Sequence, residues 1–196
     1  GIKLYFLYMS FSKIEKIHFV LNPNAGNGSP LKTFHEIEEE LILNNVKYTV
    51  YKSQRKNDIF NHVISNDIPE CDVICAMGGD GTIHETADGL IQSGKASSIA
   101  FSVIPSGTGN AFAQTLGELN PKKAIQKILE GEKLKIDAME IKQGPKVSYA
   151  INVIGWGMAS RVNQISDQLR ILGGIRYNIA SLIGIATMKK KRLILR

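Results

Sequence analysis

The sequence predicts an α/β fold, in which an open, mostly parallel sheet with flanking helices is followed by part of a second, antiparallel β-sandwich-like domain. From residue 16 to residue 131, short strand-like apolar segments alternate with segments whose apolar residues recur at helical spacing. After residue 131 the pattern changes to two alternating segments joined by a short turn, which is typical of an antiparallel hairpin. We therefore expect an α/β domain over 16–131 and the start of another domain over 132–196.

The composition is that of an ordinary globular protein, with 196 residues and 43% hydrophobic content. The net charge of +6 favours phosphates, anionic membranes or nucleic acid as partners, without choosing among them or excluding a merely soluble basic protein. Cys71 and Cys75 lie four residues apart around one predicted strand, which is poor geometry for a mutual disulfide, and they are too few for zinc, so we expect reduced cysteines in a cytosolic protein. The histidines form no spaced ligand set: His18, His35, His62 and His84.

The N-terminal segment 1–9 is apolar but too short to cross a bilayer, and it has no signal-peptide cleavage site. Tyr5 stands where a myristoylation motif has Ser or Thr. The segment also lacks an initiator methionine. Two interpretations of the start stay open, namely that Met9 is the natural first residue or that the chain is a fragment.

The first strand, Lys16–Leu21, runs into a loop of turn-forming residues, Asn22–Gly28. Ser29 as N-cap and Pro30 at the first helical position predict a helix with an apolar face. The loop has neither the Gly-Lys-Ser/Thr ending of a P-loop nor the Gly-x-Gly-x-x-Gly pattern of dinucleotide-binding folds. Alone, it is equally compatible with a plain connection.

The next elements are a strand over Val46–Tyr51, a short helix over Asp58–Ser65 and a buried strand over Asp72–Met77. The loop Gly78–Thr82 follows and places Asp80 among glycines before a helix that reaches Ile91. Glycines allow another molecule to approach the backbone, and a helix N-terminus offers N–H groups to an anion. The alternative is a tight turn in which Asp80 only caps the helix.

The next strand, Ser98–Pro105, leads through Ser106–Asn110 into the helix Ala111–Leu116, which gives a third glycine-bearing strand-to-helix loop. In an open parallel sheet such loops gather at the carboxyl ends of the strands, where ligands bind. Three loops of this kind therefore favour a ligand site more strongly than any one of them.

Asn120-Pro121 caps a helix over Lys122–Leu129, and Gly131 ends it. The remaining predicted elements are two hairpin strands, two helices and a basic turn into a strand: 133–141, 147–154, 159–172, 175–188 and 189–196. These elements hardly make a core, so we expect the second domain to be incomplete.

Three loops in this order resemble the catalytic domain of the diacylglycerol kinase and sphingosine kinase family of lipid kinases: Asn22-Pro-x-Ala-Gly26, Gly78-Gly-Asp-Gly-Thr82 and Pro105-Ser-Gly-Thr-Gly-Asn110. A second group is similar to sphingosine kinases and ceramide kinase relatives: Gly155-Trp-Gly157, Ser166, Arg170, Leu172-Gly173 and Arg176-Tyr177. The resemblance extends from about residue 16 to residue 196. Gly-Gly-Asp-Gly-Thr also occurs in NAD kinases, so a soluble-substrate kinase stays an alternative, as does a non-catalytic nucleotide- or membrane-binding module.

The resemblance implies transfer of the ATP γ-phosphate to the primary hydroxyl of a sphingoid or diacylglycerol-type lipid, with ATP and Mg²⁺ as cofactors. It implies Asp80 as the general base and Glu85 as a supporting carboxylate, although a structural role for Glu85 is equally compatible. Positioning and charge neutralisation dominate phosphoryl transfer, and loops and arginines supply both. The implied nucleotide-binding residues are Asn22, Pro23, Gly26, Gly78, Gly79, Gly81, Thr82, Ser106, Gly107, Thr108, Gly109, Asn110, Arg170 and Arg176.

One position departs from the sphingosine kinase pattern. Those enzymes are expected to have an aspartate for the substrate amine after Gly-Trp-Gly, but here Arg161 holds that place and Asn163 follows. A neutral glycerolipid, a ceramide-like lipid or another long-chain alcohol therefore fits better than a free sphingoid base. The acidic residues that the family has further on lie beyond the end of this sequence, so the metal ligands stay unassigned. We expect ATP and a lipid as partners, no nucleic acid, and a cytoplasmic protein peripherally associated with membranes.

Overall fold

The computed structural model describes residues 3–4, 13–65, 67–107, 110–131 and 136–151, together with the single residues 179 and 183. The chain divides into two compact units, Gly1–Asn152 and Val153–Arg196. The elements below belong to the first unit, and a domain that begins at residue 132 stays a prediction. Several residues with predicted roles lie outside the described residues: Thr108, Gly109, Gly155–Gly157, Arg161, Asn163, Arg170 and Arg176.

Four parallel strands form the central sheet in the order β3-β2-β4-β5. Their bounds are β2 Lys16–Leu21, β3 Lys47–Lys52, β4 Val73–Gly78 and β5 Ala100–Pro105, and β1 is the short strand Lys3–Leu4. Every residue of β4 is buried, as is typical of a parallel strand covered on both faces. The predicted open parallel sheet is confirmed, and each strand boundary falls within two residues of its prediction.

In the part of the chain that the structure describes, five helices flank the sheet: α1 Ser29–Leu43, α2 Asp58–Ile64, α3 Asp80–Gln92, α4 Ala111–Thr115 and α5 Pro121–Glu130. Successive strand residues point to opposite faces, so Phe19 and Val20 of β2 belong to separate core clusters. The cluster of Phe19 includes Ile37 of α1 and Ile125 of α5. That of Val20 contains residues of α2, α3 and α4, so helices cover both faces.

The helix ends mostly follow the predicted signals. Asn120 is the N-cap of α5, where its side chain accepts a hydrogen bond from the Lys123 N–H at 3.1 Å, and Gly131 ends the helix with φ 76°. The predicted N-cap role of Ser29 is wrong. Ser29 has helical backbone angles, φ −56° and ψ −32°, and its hydroxyl donates to the carbonyl of Ser106.

The predicted antiparallel hairpin is confirmed, with strands β7 Met139–Gln143 and β8 Lys146–Ala150 that are shorter than expected. Gln143 pairs with Lys146 across a two-residue turn in which Gly144 has φ 59°. A further two-residue strand, β6 Ile136–Asp137, pairs antiparallel with β1. The first unit therefore carries two small antiparallel sheets beside the parallel one.

Candidate functional site

The three glycine loops follow β2, β4 and β5, and therefore lie at the same edge of the sheet. The sheet order places β3 on one side of β2 and β4 on the other, so the chain reverses its lateral direction between β2 and β4. Such a switch point opens a crevice at the carboxyl ends of the two strands. The Asn22 N–H donates to the Met77 carbonyl at 3.1 Å and ties the first loop to β4 at this point.

The first loop is folded tightly on itself and against the third. The Asn22 side-chain oxygen accepts from the Asn24 N–H at 3.0 Å, and partly exposed Pro23 lies in the turn between them. Gly26 has φ 51°, and a Cβ added there would lie 3.0 Å from the Ser106 carbonyl oxygen. The positive φ and this close approach both require glycine.

The second loop presents Asp80 at the start of α3. Gly78 ends β4, Gly79 occupies the N-cap position, and Asp80 is the first, exposed residue of the helix. The Gly79 carbonyl accepts from the Thr82 N–H at 2.9 Å. The alternative in which Asp80 caps the helix is therefore wrong, and its carboxylate faces open space at a helix N-terminus.

Glycines of the second and third loops fall into two groups. A Cβ added at Gly78 would lie 2.3 Å from the Thr82 hydroxyl oxygen, and one at Gly107 would lie 2.9 Å from the Gly78 carbonyl oxygen. By contrast, a Cβ added at Gly79 or Gly81 would meet no atom within 4 Å. Gly78 thus makes room for Thr82 of its own loop and Gly107 lets the third loop pack on the second, whereas Gly79 and Gly81 leave backbone accessible beside Asp80.

The third loop contributes a buried hydroxyl. The Gly107 N–H donates to the Asn110 side-chain oxygen at 2.9 Å, and Asn110 has φ 47°. The Ser106 hydroxyl is buried and has no hydrogen-bond partner among the described residues. A buried unpaired polar group is unfavourable, so a bound molecule that pairs with this hydroxyl gains stability there.

Glu85 has a structural partner. Its carboxylate accepts from the N–H of Asn57 at 3.1 Å, at the start of α2, where Asn57 has φ 66°. The hydrogen bond links α3 to the loop that follows β3. The catalytic role of Glu85 stays a prediction.

Sequence reasoning missed the loop that follows β3, residues 53–57, which lies at the same sheet edge. The Ser53 N–H donates to the Leu21 carbonyl at 2.9 Å, beside the first glycine loop. Three exposed basic side chains belong to this region: Lys52, Arg55 and Lys56. The loop contains no glycine, so the pattern that revealed the other loops could not reveal it. Basic residues directly after a predicted parallel strand are the signal that was available.

The conformation of this basic loop is fixed by Asp58. Its carboxylate accepts from the backbone N–H groups of Gln54 at 2.9 Å and Arg55 at 3.0 Å. These hydrogen bonds, with that of Gln54 contributing most, hold the pKa of Asp58 below its usual range. The Arg55 guanidinium also donates to the same carboxylate at 3.1 Å, so Asp58 orders the loop next to the crevice.

No residue of the three glycine loops lines either of two cavities found among the described residues. The first, of about 220 Å³, has Val73, Val103 and Phe112 in its wall, and the second, of about 320 Å³, has Cys71 and Ser98. In the described parts of the chain, no group of three or more His, Cys, Asp or Glu side chains is arranged to hold a metal. Within the same residues, no helix has the length and apolar character needed to span a membrane.

Comparison with known proteins identifies the family. The model of the diacylglycerol kinase catalytic domain matches residues 16–141. A sphingoid long-chain bases kinase 1 of Arabidopsis thaliana is 28% identical over 184 residues, which are 89% of this chain and 24% of that protein. Sphingosine kinase 1 of Homo sapiens is 22% identical over 90% of this chain and 50% of its own length. The chain thus spans between about a quarter and a half of these curated relatives.

A solved structure supports the same assignment. The crystal structure of a diacylglycerol kinase from Bacillus anthracis str. Sterne superposes with a TM-score of 0.63 at 25% sequence identity, covering 83% of this chain and 55% of that one. The fold and the matching family model agree with the resemblance carried by the three loops. The chain belongs to the diacylglycerol kinase catalytic domain family.

Proposed function

We propose that this protein is an ATP-dependent lipid kinase that transfers the γ-phosphate of ATP to the primary hydroxyl of a lipid. The observation that carries the proposal is the meeting of three glycine loops at one sheet edge, with the exposed carboxylate of Asp80 at the first position of α3. Family membership supports a kinase, and the names of the relatives support a lipid acceptor.

The nucleotide phosphates would lie against the second loop. Gly79 and Gly81 leave the backbone open there, and the free N–H groups at the start of α3 favour an anion. Ser106 would supply its unpaired hydroxyl. Positive charge would come from the basic loop after β3 and from Arg170 and Arg176, which the family resemblance assigns to the phosphates.

Asp80 would orient the lipid hydroxyl and take its proton as the oxygen bonds to the γ-phosphorus and ADP leaves. An exposed carboxylate that no helix cap engages is free to meet the acceptor. Mg²⁺ needs few protein ligands, because it binds through one or two carboxylates and the substrate phosphates. Among the described residues, no group of three or more His, Cys, Asp or Glu side chains is arranged to hold a metal, which fits a metal that would enter with the nucleotide and neutralise phosphate charge.

The acceptor that we propose is a neutral lipid with a primary hydroxyl, because Arg161 replaces the aspartate expected to pair with a sphingoid amine. A cationic guanidinium and a protonated amine repel each other. We also propose a cytoplasmic protein that associates peripherally with membranes, where a lipid acceptor is found. Replacing Arg161 with Asp is expected to shift the acceptor preference toward sphingosine.

The test is transfer of radiolabel from [γ-³²P]ATP by the natural full-length protein to a panel of acceptors in mixed micelles. The panel contains diacylglycerol, ceramide, sphingosine and NAD. We expect labelled lipid, with the neutral lipids preferred. Labelled NAD phosphate in place of lipid phosphate would identify a soluble-substrate kinase. Liposome binding without any transfer would identify a non-catalytic module, and either result would overturn the proposal.

A further inference from the structure

Helix α3 carries a third carboxylate after Asp80 and Glu85, namely Asp88, about two helical turns from Asp80. Asp88 is buried, with 6% of its surface exposed. Its Oδ1 atom accepts from the backbone N–H of Tyr149 in β8 and from Nε2 of Gln92, both at 2.8 Å. A buried carboxylate is stable only when its oxygens are hydrogen-bonded, so these contacts determine where the side chain can be placed.

Gln92 completes the contact with β8. It lies one helical turn beyond Asp88, on the same face of α3, and its Nε2 also donates to the Val147 carbonyl at 3.1 Å. Tyr149 lies opposite Glu140 of β7, and Val147 lies opposite Lys142. The backbone N–H and carbonyl groups of Tyr149 and Val147 point away from β7. Asp88 and Gln92 thus offer an acceptor and a donor to the free edge of β8, as a neighbouring strand would.

The two strands of the hairpin that Asp88 and Gln92 contact are paired along their whole length. The Tyr149 hydroxyl donates to Glu140 across the two strands at 3.2 Å, and Lys142 pairs with the same carboxylate at 2.6 Å. Fixing the backbone of β8 therefore fixes β7 as well.

The helix that holds the hairpin is itself held on its other sides. Ile83 and Leu90 are buried in the core between α3 and the sheet. A Cβ added at Gly89 would lie 3.0 Å from the Cβ of Val63, so α2 approaches α3 closely at that point. The hairpin is thus attached to a rigid helix rather than to a mobile loop.

We propose that Asp88, assisted by Gln92, is a positioning residue that fixes the hairpin β7–β8 on the helix that starts at Asp80. The inference rests on the proposed function, since this hairpin begins the predicted lipid-binding domain 132–196. Because one helix carries both Asp80 and the hairpin, Asp88 sets the position of β7–β8 relative to the proposed catalytic carboxylate. Its loss weakens use of the lipid and leaves nucleotide binding intact.

The test compares Asp88→Ala, Asp88→Asn and the control Val63→Ala in the full-length protein. The asparagine retains the Oδ1 acceptor for both donors, and Val63→Ala loosens α2 against α3 without touching β8. The rate of amide hydrogen exchange at Tyr149 is divided by the rate at Ala76 in β4, because exchange at Ala76 reports global unfolding. We expect at least a tenfold relative increase in Asp88→Ala, because the acceptor of the Tyr149 N–H is lost, and no relative increase in the other two variants, which keep that acceptor.

The kinetic readout separates positioning from general destabilisation. In Asp88→Ala we expect the KM for the lipid to rise at least threefold while the ATP dissociation constant stays unchanged, and in Asp88→Asn we expect both values to match those of the wild type. An unchanged lipid KM in an active enzyme, or an unchanged exchange rate at Tyr149, would overturn the inference. If the wild type phosphorylates no lipid at all, the proposed function fails first, and the role of Asp88 in acceptor positioning fails with it.

Discussion

The glycines of the candidate site differ in what surrounds them. Gly78 and Gly107 are crowded, because an added Cβ would lie within 3.0 Å of the Thr82 side chain or of the neighbouring loop backbone. Gly79 and Gly81 flank Asp80 and have no atom within 4 Å of an added Cβ. The crowded pair is explained by packing inside the protein. Nothing in the described part of the molecule requires glycine at the open pair, so the space beside these two residues is free for a ligand.

This difference separates stability from function. An alanine at a crowded position must displace backbone, whereas an alanine at an open position displaces only what binds there. Matched Gly→Ala substitutions within one crevice can therefore show which loop atoms are structural and which face the nucleotide.

The largest effect on stability is expected for Gly107→Ala. The new Cβ would lie 2.9 Å from the Gly78 carbonyl oxygen and 3.0 Å from the Gly79 Cα, both backbone atoms that cannot move aside cheaply. Overpacking of this kind lowers the free energy of unfolding by about 2 to 3 kcal/mol. Chemical denaturation measures it, with Gly79→Ala as the matched control. Equal stability of the two variants would contradict the division into crowded and open glycines.

The second prediction concerns the pH dependence of stability, which we attribute to the buried polar group around His18 on the same sheet. His18 of β2 is buried, and its ring nitrogens lie 2.7 Å from the Thr49 hydroxyl and 2.8 Å from Nε2 of His62. Burial, and then the charge of His62, lower the pKa of His18 to about 4. Because His18 binds a proton more tightly in the unfolded chain, its contribution to the free energy of unfolding is fully present above pH 6.5. This contribution is lost as the pH falls toward 4, by roughly 2 to 3 kcal/mol.

Denaturation curves of His18→Leu and His35→Gln between pH 4 and pH 7 measure this dependence. We expect the free energy of unfolding to depend less on pH in His18→Leu than in the wild type. The dependence should be unchanged in His35→Gln, because His35 is exposed on α1. Identical slopes in His18→Leu and the wild type would assign the pH dependence to other groups.

A smaller effect, of opposite sign, is expected for Gly81→Ala. Gly81 is the second residue of α3, where alanine has the higher helix propensity and there is space for a methyl group. We expect a gain of about 0.5 kcal/mol in stability together with weaker ATP binding. Thermal unfolding and ATP titration of one preparation measure both. A variant that binds ATP like the wild type would place the phosphates elsewhere.

The smallest effect on stability is expected for Gly79→Ala. Gly79 has the ordinary angles φ −86° and ψ −177°, so alanine fits without strain and the change should stay within about 0.5 kcal/mol. The ATP dissociation constant should nevertheless rise by about tenfold, because the methyl group occupies the space beside Asp80. Unchanged affinity would show that the open position is not a ligand contact.

Most of the fold could be predicted from local patterns. The strand Lys16–Leu21 and the ends of the helix Pro121–Glu130 follow from apolar periodicity and from Asn120, Pro121 and Gly131, whose preferences are set by backbone sterics and capping. The placing of three loops at one edge followed from parallel topology alone. These features need no knowledge of tertiary contacts.

What could not be predicted depends on contacts between distant residues. Ser29 has the sequence context of an N-cap, but its hydroxyl donates a hydrogen bond to the carbonyl of Ser106, which lies 77 residues further along the chain. The sequence gives no sign that Asp88 is buried, because the strand that covers it, β8, lies far away along the chain. The loop after β3 has basic residues but no motif, so only the sheet order brings it to the crevice.

The most direct test of the central claim is the comparison of Asp80→Asn with the wild-type full-length protein in phosphate transfer to lipid and in ATP binding. Asparagine keeps the shape of the side chain at the first position of α3 and removes the base. We predict an ATP dissociation constant within twofold of the wild-type value and a transfer rate reduced by about 10²- to 10⁴-fold. Equal transfer rates in the two proteins would contradict the assignment of Asp80 as the catalytic carboxylate.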